Sequence, residues 1–153
     1  MKLGQVLRKE RQKRDLSPGE VAERLGLGVE EYTALEDGAT PAETWGPYLA
    51  EIAIELATPT ARLVAESGRA RDARPGEIGA RIRAAREGRG RTPVDLAKAL
   101  GLAEDDYQAI EAGTTPVETW APILLRFAET VEQPVFNLFY PCGLSFRELE
   151  DYP

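Results

Sequence analysis

Two stretches of this 153-residue chain are nearly the same, EDGATPAETWGP at residues 36–47 and EAGTTPVETWAP at residues 111–122. Eight of the twelve positions are identical at an offset of 75 residues, and no gap is needed to align them. The same offset aligns LGL at residues 25–27 with LGL at residues 100–102. Gapless similarity of this extent is typical of an internally duplicated supersecondary unit. The sequence therefore predicts two tandem copies of one fold.

Apolar spacing and capping residues predict a series of short helices in each copy. Apolar spacing predicts a first helix that begins near Leu3, or near Ile78 in the second copy. A Ser or Thr that is followed directly by Pro, with an acid three residues after the Ser or Thr, predicts the start of a second helix, which a glycine then ends. The predicted second, third and fifth helices cover about residues 18–25, 29–37 and 57–65 in the first copy, and about 93–100, 104–112 and 134–141 in the second.

The repeated turn precedes a predicted fourth helix in each copy. We expect Thr44 and Thr119 to cap this helix, and Pro47 and Pro122 to lie in its first turn, where a missing N–H is harmless. Trp45 and Trp120 are expected to be core residues that join the turn to the helices.

The repeat also predicts the domain boundaries. We expect a first helix-turn-helix domain at residues 1–68, a linker rich in Gly, Arg and Pro at 69–76, and a second domain with a short tail at 77–153. Each copy has about 65–70 residues, a size at which a chain folds alone but with little stability to spare. The expected fold class is all-α, with two five-helix domains.

Composition narrows the function classes. The chain has no histidine, so the commonest general base and the commonest metal ligand are missing. Its single cysteine, Cys142, cannot form an intramolecular disulfide. No signal peptide, membrane-spanning run or phosphate-binding glycine loop is recognisable. We therefore expect a cytoplasmic protein that is not an enzyme and that binds neither a cofactor nor a metal.

A short helix, a turn that contains glycine and a second short helix form a helix-turn-helix. Together with LRKER at residues 7–11, IRAAR at 82–86, the two LGL stretches and the Glu-x-Gly at the end of each third helix, this pattern resembles the lambda-repressor/Cro-like (XRE-type) family. The resemblance covers residues 3–65 and 78–141. It implies structural ion pairs between the first and third helices, at Arg11 with Glu36 and at Arg86 with Glu111.

The resemblance also implies that the third helix of each copy lies in the major groove of double-stranded DNA. The candidate DNA-binding residues are Arg14, Ser17, Glu30, Thr33, Ala34, Arg89, Thr92, Asp105, Gln108 and Ala109. Among them Gln108 has the amide that pairs with adenine. Arg14 and Arg89, at the ends of the two first helices, are the candidate phosphate contacts.

Charge leaves alternatives to DNA reading open. The chain carries a net charge of −7, and neither residues 27–57 nor residues 99–125 contain any Lys or Arg. One hypothesis is a transcriptional regulator that binds DNA through tandem modules. A second is a degenerate helix-turn-helix protein that binds a protein partner through its acidic third helices, without reading DNA sequence. A third is nonspecific nucleic-acid binding through the arginines of residues 69–91.

Overall fold

A computed structural model of the chain describes residues 2–140, and all helices named below lie in that range. The N-terminal half contains α1 (Leu3–Lys13), α2 (Pro18–Leu25), α3 (Val29–Glu36), α4 (Ala42–Leu56) and α5 (Thr60–Val64). The C-terminal half contains α6 (Ile78–Gly88), α7 (Pro93–Leu100), α8 (Glu104–Ala112), α9 (Val117–Thr130) and α10 (Phe136–Phe139). A short 3-10 turn, Ala70–Asp72, lies between the halves. The all-α prediction is confirmed for this part of the chain, which contains no strand.

Local signals place the second helices where the sequence predicts them. Ser17 and Thr92 are the N-cap residues, and their hydroxyls accept hydrogen bonds from the N–H groups of Glu20 and Asp95, both at 3.1 Å. Each acid in turn accepts from the N–H of its own cap residue, so two otherwise unpaired donors are satisfied. A left-handed Gly26 and its counterpart Gly101 (φ 72° and 69°) end the two helices.

The predicted start of the fourth helix is wrong in both halves. α4 begins at Ala42 after Pro41, so Thr44 lies inside the helix and does not cap it. α9 begins at Val117, and Thr119 is likewise inside its helix. Pro47 and Pro122 therefore occupy the interiors of α4 and α9 and not their first turns.

The two halves do not enclose separate cores. α2 packs against α9, α7 packs against α4, and α4 and α9 pack against each other. Tyr32 of α3 stacks on Phe127 of α9, with ring centroids 6.4 Å apart. The buried apolar side chains of both halves thus form one cluster. The physical reason is size: one copy of about 65–70 residues buries a small fraction of its surface, and a shared core buries more.

The ends of the helices interlock in the same way. α5 packs against α6, and α10 packs against α1. The predicted linker is part of this packing, since Ala70 is buried and its N–H donates to Glu129 Oε2 of α9 at 2.9 Å. Residues 141–153, which hold the predicted tail and the end of the predicted last helix, lie outside the described residues. No helix within residues 2–140 is long and apolar enough to cross a membrane.

Candidate nucleic-acid interface

A buried ion pair joins α6 to α8. Arg86 Nε lies 2.6 Å from Glu111 Oε2, and Arg86 Nη2 lies 3.0 Å from Glu111 Oε1, so the guanidinium binds the carboxylate through two parallel hydrogen bonds. The Tyr107 hydroxyl donates to the same carboxylate, and Arg83 approaches it from solvent at 3.3 Å. Arg86 and Glu111 are both more than nine-tenths buried. The pair holds α8 against the first helix of its own half.

The N-terminal half contains the corresponding arrangement. Arg11 Nε lies 2.6 Å from Glu36 Oε2, and Arg11 Nη2 lies 3.1 Å from Glu36 Oε1. The Tyr32 hydroxyl donates to Glu36, and Arg8 lies 3.2 Å from Glu36 and 2.8 Å from Asp37. The structure thus brings together both pairs that the family resemblance implies.

These contacts shift the acid–base behaviour of the buried groups. Burial alone would raise the pKa of Glu36 and of Glu111, but hydrogen bonds from Arg11 and Arg86, and from the neighbouring tyrosine hydroxyls, hold both below the ordinary value. Burial, followed by the hydrogen bond to the carboxylate, raises the pKa of the two tyrosines. Both carboxylates are therefore ionised, and both tyrosines neutral, at physiological pH.

Glycine allows the close approach of these helices. A Cβ on Gly79 would lie 2.8 Å from the carbonyl carbon of Glu111, and a Cβ on Gly4 would lie 2.8 Å from that of Glu36. The obstructing atoms are backbone, which cannot rotate away as a side chain can. The first helix of each half therefore needs glycine where it crosses the helix that carries the buried glutamate.

The repeated Glu-Thr-Trp of the turn has a role that the sequence analysis missed. The Glu43 carboxylate accepts from the N–H groups of Leu3 (3.1 Å) and Gly4 (3.0 Å), at the start of α1. The Glu118 carboxylate accepts from the N–H groups at the start of α6, including Gly79 at 2.9 Å. An anion at a helix N-terminus pairs with unsatisfied donors and with the positive end of the helix dipole. The identity of this Glu in both copies was the available signal. The adjacent Trp45 and Trp120 are partly buried against the core.

The structure distributes the predicted DNA-binding residues over different environments. Ser17 and Thr92 cap their helices, as described above. On α3 and α8, Ala34 and Ala109 are half-buried, whereas four candidates point to solvent: Glu30, Thr33, Asp105 and Gln108. The Thr33 hydroxyl donates to the Val29 carbonyl (2.9 Å), and Gln108 Nε2 donates to Glu104 Oε1 (3.4 Å). The outer face of each helix is thus accessible to a partner.

The two predicted phosphate contacts lie elsewhere. Arg14 donates through Nη2 to the carbonyl of Val131, the C-cap residue that follows α9. Arg89 donates through Nη2 to the carbonyl of Ala57, the C-cap residue that follows α4, at 2.9 Å. Each arginine therefore bonds to the other half of the molecule. The sequence alone could not show this contact, because it depends on how the halves interlock.

The α2–α3 segment and the α7–α8 segment both carry a surplus of negative charge. Residues 18–37 contain six acids and one base, Arg24, while residues 93–112 contain five acids and one base, Lys98. Apart from Glu36 and Glu111, which are buried in the ion pairs, these acids are exposed. Acids in the first turn of a helix also stabilise its dipole, as Glu30 and Glu104 do in α3 and α8.

Residues 77–134 match a family model described as a helix-turn-helix domain. The match spans α6 to α9 and includes the α7–α8 pair. Comparisons of the chain with curated proteins and with solved structures gave no significant match. The assignment of a helix-turn-helix domain is therefore made for the C-terminal half, and a second tandem domain in the N-terminal half stays a prediction.

Proposed function

We propose that the protein is a DNA-binding transcriptional regulator with an XRE-type helix-turn-helix module in each half. The observation that carries the proposal is the match of residues 77–134 to a helix-turn-helix domain, combined with the exposed outer face of α8. In this arrangement the second helix of the motif enters the major groove and its N-terminal residues contact base edges. α3 is the corresponding helix of the N-terminal half.

Gln108 is the proposed base-reading side chain of α8. Its amide donates one hydrogen bond and accepts another, which is the pattern that the major-groove edge of adenine complements. In the free protein its only described side-chain bond goes to Glu104 at 3.4 Å, near the outer limit of hydrogen-bond length, so its release is inexpensive. Asp105 beside it is able to accept from the amino group of cytosine.

The acidic faces predict that phosphate contacts contribute little to DNA affinity and that base contacts contribute most of it. Nonspecific affinity comes from Lys and Arg that displace counterions from phosphates, and each face has a single base, Arg24 or Lys98. We therefore expect weak nonspecific binding and a shallow dependence of affinity on salt. Recognition would depend mainly on base contacts and on the simultaneous use of both modules.

A second function is favoured by the same charge distribution. Exposed acids on α3 (Glu30, Glu31) and on α8 (Asp105, Asp106) complement a basic protein surface better than a phosphate backbone. In this proposal the helix-turn-helix faces are docking surfaces for a basic protein partner, and sequence-specific DNA binding is lost.

Fluorescence anisotropy with random and genomic duplexes over a salt series tests the first function. We expect the wild-type protein to bind at roughly 50 mM salt, where electrostatic attachment is strong, and to prefer a subset of duplexes. Gln108→Ala should lower the preference at one base pair, equivalent to about 1–3 kcal/mol. Gln12→Ala, at an exposed glutamine near the end of α1, is the matched control and should leave the preference unchanged.

The outcomes separate the two functions. Absence of duplex binding by the wild-type protein at roughly 50 mM salt would contradict the regulator. In that case a co-purifying partner should be lost when Glu30, Glu31, Asp105 and Asp106 are replaced by lysine. Retention of the partner by that charge-reversed variant would contradict the docking function.

A further inference from the structure

Three hydrogen bonds join the α6–α7 turn to the end of α4. Arg89 Nη2 donates to the Ala57 carbonyl at 2.9 Å. Arg91 Nη1 donates to the Glu55 carbonyl at 3.0 Å, and Arg91 Nη2 donates to Glu55 Oε1 at 3.1 Å. Both arginines belong to the C-terminal half and both acceptor residues to the N-terminal half. These two arginines with Glu55 and Ala57 are called the α4 clamp below.

Two of the three acceptors of these bonds are carbonyl groups at the C-terminal end of α4, where a positive charge is favourable. The last carbonyl groups of a helix have no intrahelical donor, and they form the negative end of the helix dipole. Two guanidinium groups at the C-terminal end of α4 therefore satisfy free acceptors and add favourable electrostatic interaction, while Glu55 contributes an ion pair. Arg91 immediately precedes Thr92, the N-cap of α7. The clamp therefore holds the chain at the start of the α7–α8 unit.

The equivalent position in the N-terminal half is held by fewer bonds. Arg14 donates to the Val131 carbonyl at the end of α9, as Arg89 does at the end of α4. However, Leu16 occupies the position that corresponds to Arg91, so the α1–α2 turn has no second guanidinium there. The α7–α8 unit is therefore tied across the molecule by two arginines, and the α2–α3 unit by one.

We infer that Arg89 and Arg91 are positioning residues that fix the separation between α3 and α8 by clamping the α7–α8 unit to the end of α4. If the proposed function holds, on which this consequence rests, the clamp sets the spacing of the two DNA half-sites. Dimeric helix-turn-helix proteins read half-sites whose spacing mirrors the distance between their recognition helices. In this role Arg89 does not contact a phosphate.

The separation is measured by electron–electron distance spectroscopy on the full chain. Spin labels are attached at Glu31→Cys and Asp106→Cys, which are corresponding exposed positions on α3 and α8, in a background with Cys142→Ser. We expect one narrow distance distribution. The double variant Arg89→Ala/Arg91→Ala should broaden it, while its circular dichroism spectrum stays that of the parent.

Three further variants separate clamping from a general charge effect. Arg71→Ala removes an arginine that is 82% exposed and forms its ion pair with the adjacent Asp72, so the distribution should be unchanged. Arg89→Lys with Arg91 intact should keep the narrow distance distribution of the parent, because a single N–H donated to the Ala57 carbonyl is enough at that position. Arg91→Lys with Arg89 intact should give a distance distribution of intermediate width, since lysine cannot reproduce the forked contact with Glu55. A double alanine variant with the parent's distance distribution would overturn the inference.

Selection of duplexes from a random pool tests the consequence for DNA. The parent should recover half-sites at one spacing, whereas the double alanine variant should recover several spacings with an unchanged salt slope. A salt slope reduced by about 0.9 for each arginine removed, with the spacing retained, would instead identify these residues as phosphate contacts and overturn the inference. If the parent selects no sequence, the proposed function fails, while the distance measurement still decides the clamp.

Discussion

Removal of the Arg86 side chain is expected to destabilise the protein severely. Arg86→Ala deletes the two bonds to Glu111, at 2.6 and 3.0 Å, and a third bond from Arg86 Nη1 to the Arg91 carbonyl at 2.9 Å. The Glu111 side chain is only 5% exposed, so it is poorly solvated and depends on its protein donors. A buried carboxylate without its partner costs roughly 3–5 kcal/mol. Because Tyr107 and Arg83 still contact it, we expect the lower end, about 3 kcal/mol.

Urea denaturation followed by tryptophan fluorescence measures this loss. Trp45 and Trp120 are partly buried against the shared core, one in each half, so their emission reports unfolding of both. Small domains have unfolding free energies of about 5–15 kcal/mol, so a loss of about 3 kcal/mol lowers the midpoint clearly.

The matched control for this prediction is Arg83→Ala. Arg83 contacts the same carboxylate at 3.3 Å, but its side chain is 55% exposed. Exposed ion pairs contribute about 1 kcal/mol or less, so this variant should remain close to the wild type. If Arg86→Ala lost less than about 1 kcal/mol, or no more than Arg83→Ala, the buried pair would not have the energetic role argued from its geometry.

Three further perturbations test the packing around that pair. Gly79→Ala should destabilise by about 1–3 kcal/mol in thermal melts, because its Cβ meets backbone of α8, whereas Gly88→Ala, whose Cβ meets nothing within 4 Å, should be neutral or stabilising. Glu118→Ala should cost about 1–3 kcal/mol, since it unpairs buried N–H groups at the start of α6, and hydrogen exchange there should accelerate. Because the pKa of Glu111 is lower in the folded protein than in the unfolded chain, its contribution is complete at neutral pH. That contribution should be lost as pH falls below about 4.3, the ordinary glutamate value, so melts of Glu111→Gln should depend less on pH there.

Elements bounded by local chemistry were predictable from the sequence. The second helices of both halves and α8 have the bounds that were expected, because each begins or ends at a residue whose backbone preference is decisive. Ser17 and Thr92 supply the capping oxygens, and Gly26 adopts the left-handed conformation that other residues avoid. The ion-pair partners could be named for a different reason, since the family resemblance supplied them.

The start of the fourth helix was not predictable from local signals. Thr44 is a good cap type, but the helix begins earlier, and the acid beside it binds the N-terminus of another helix. Interior Pro47 removes one helical hydrogen bond from α4. In the structure, packing of α4 against α9 stabilises the longer helix, and a Cβ added at Gly46 would lie 3.1 Å from the Leu124 side chain of α9. Tertiary packing here overrides the local preference.

The exchange of partners between the halves is hidden from the sequence because the repeat makes two arrangements equivalent. The apolar faces of α4 and α9 occupy corresponding positions, so periodicity alone does not decide which of the two helices α2 packs against. Small size favours a shared core in both copies, and features that differ between the copies add to that preference. Arg91, which has Leu16 as its counterpart, forms two bonds to Glu55 that exist only when the α6–α7 turn meets the end of α4. An unrepeated residue thus supports the interlocked arrangement that the repeated residues leave open.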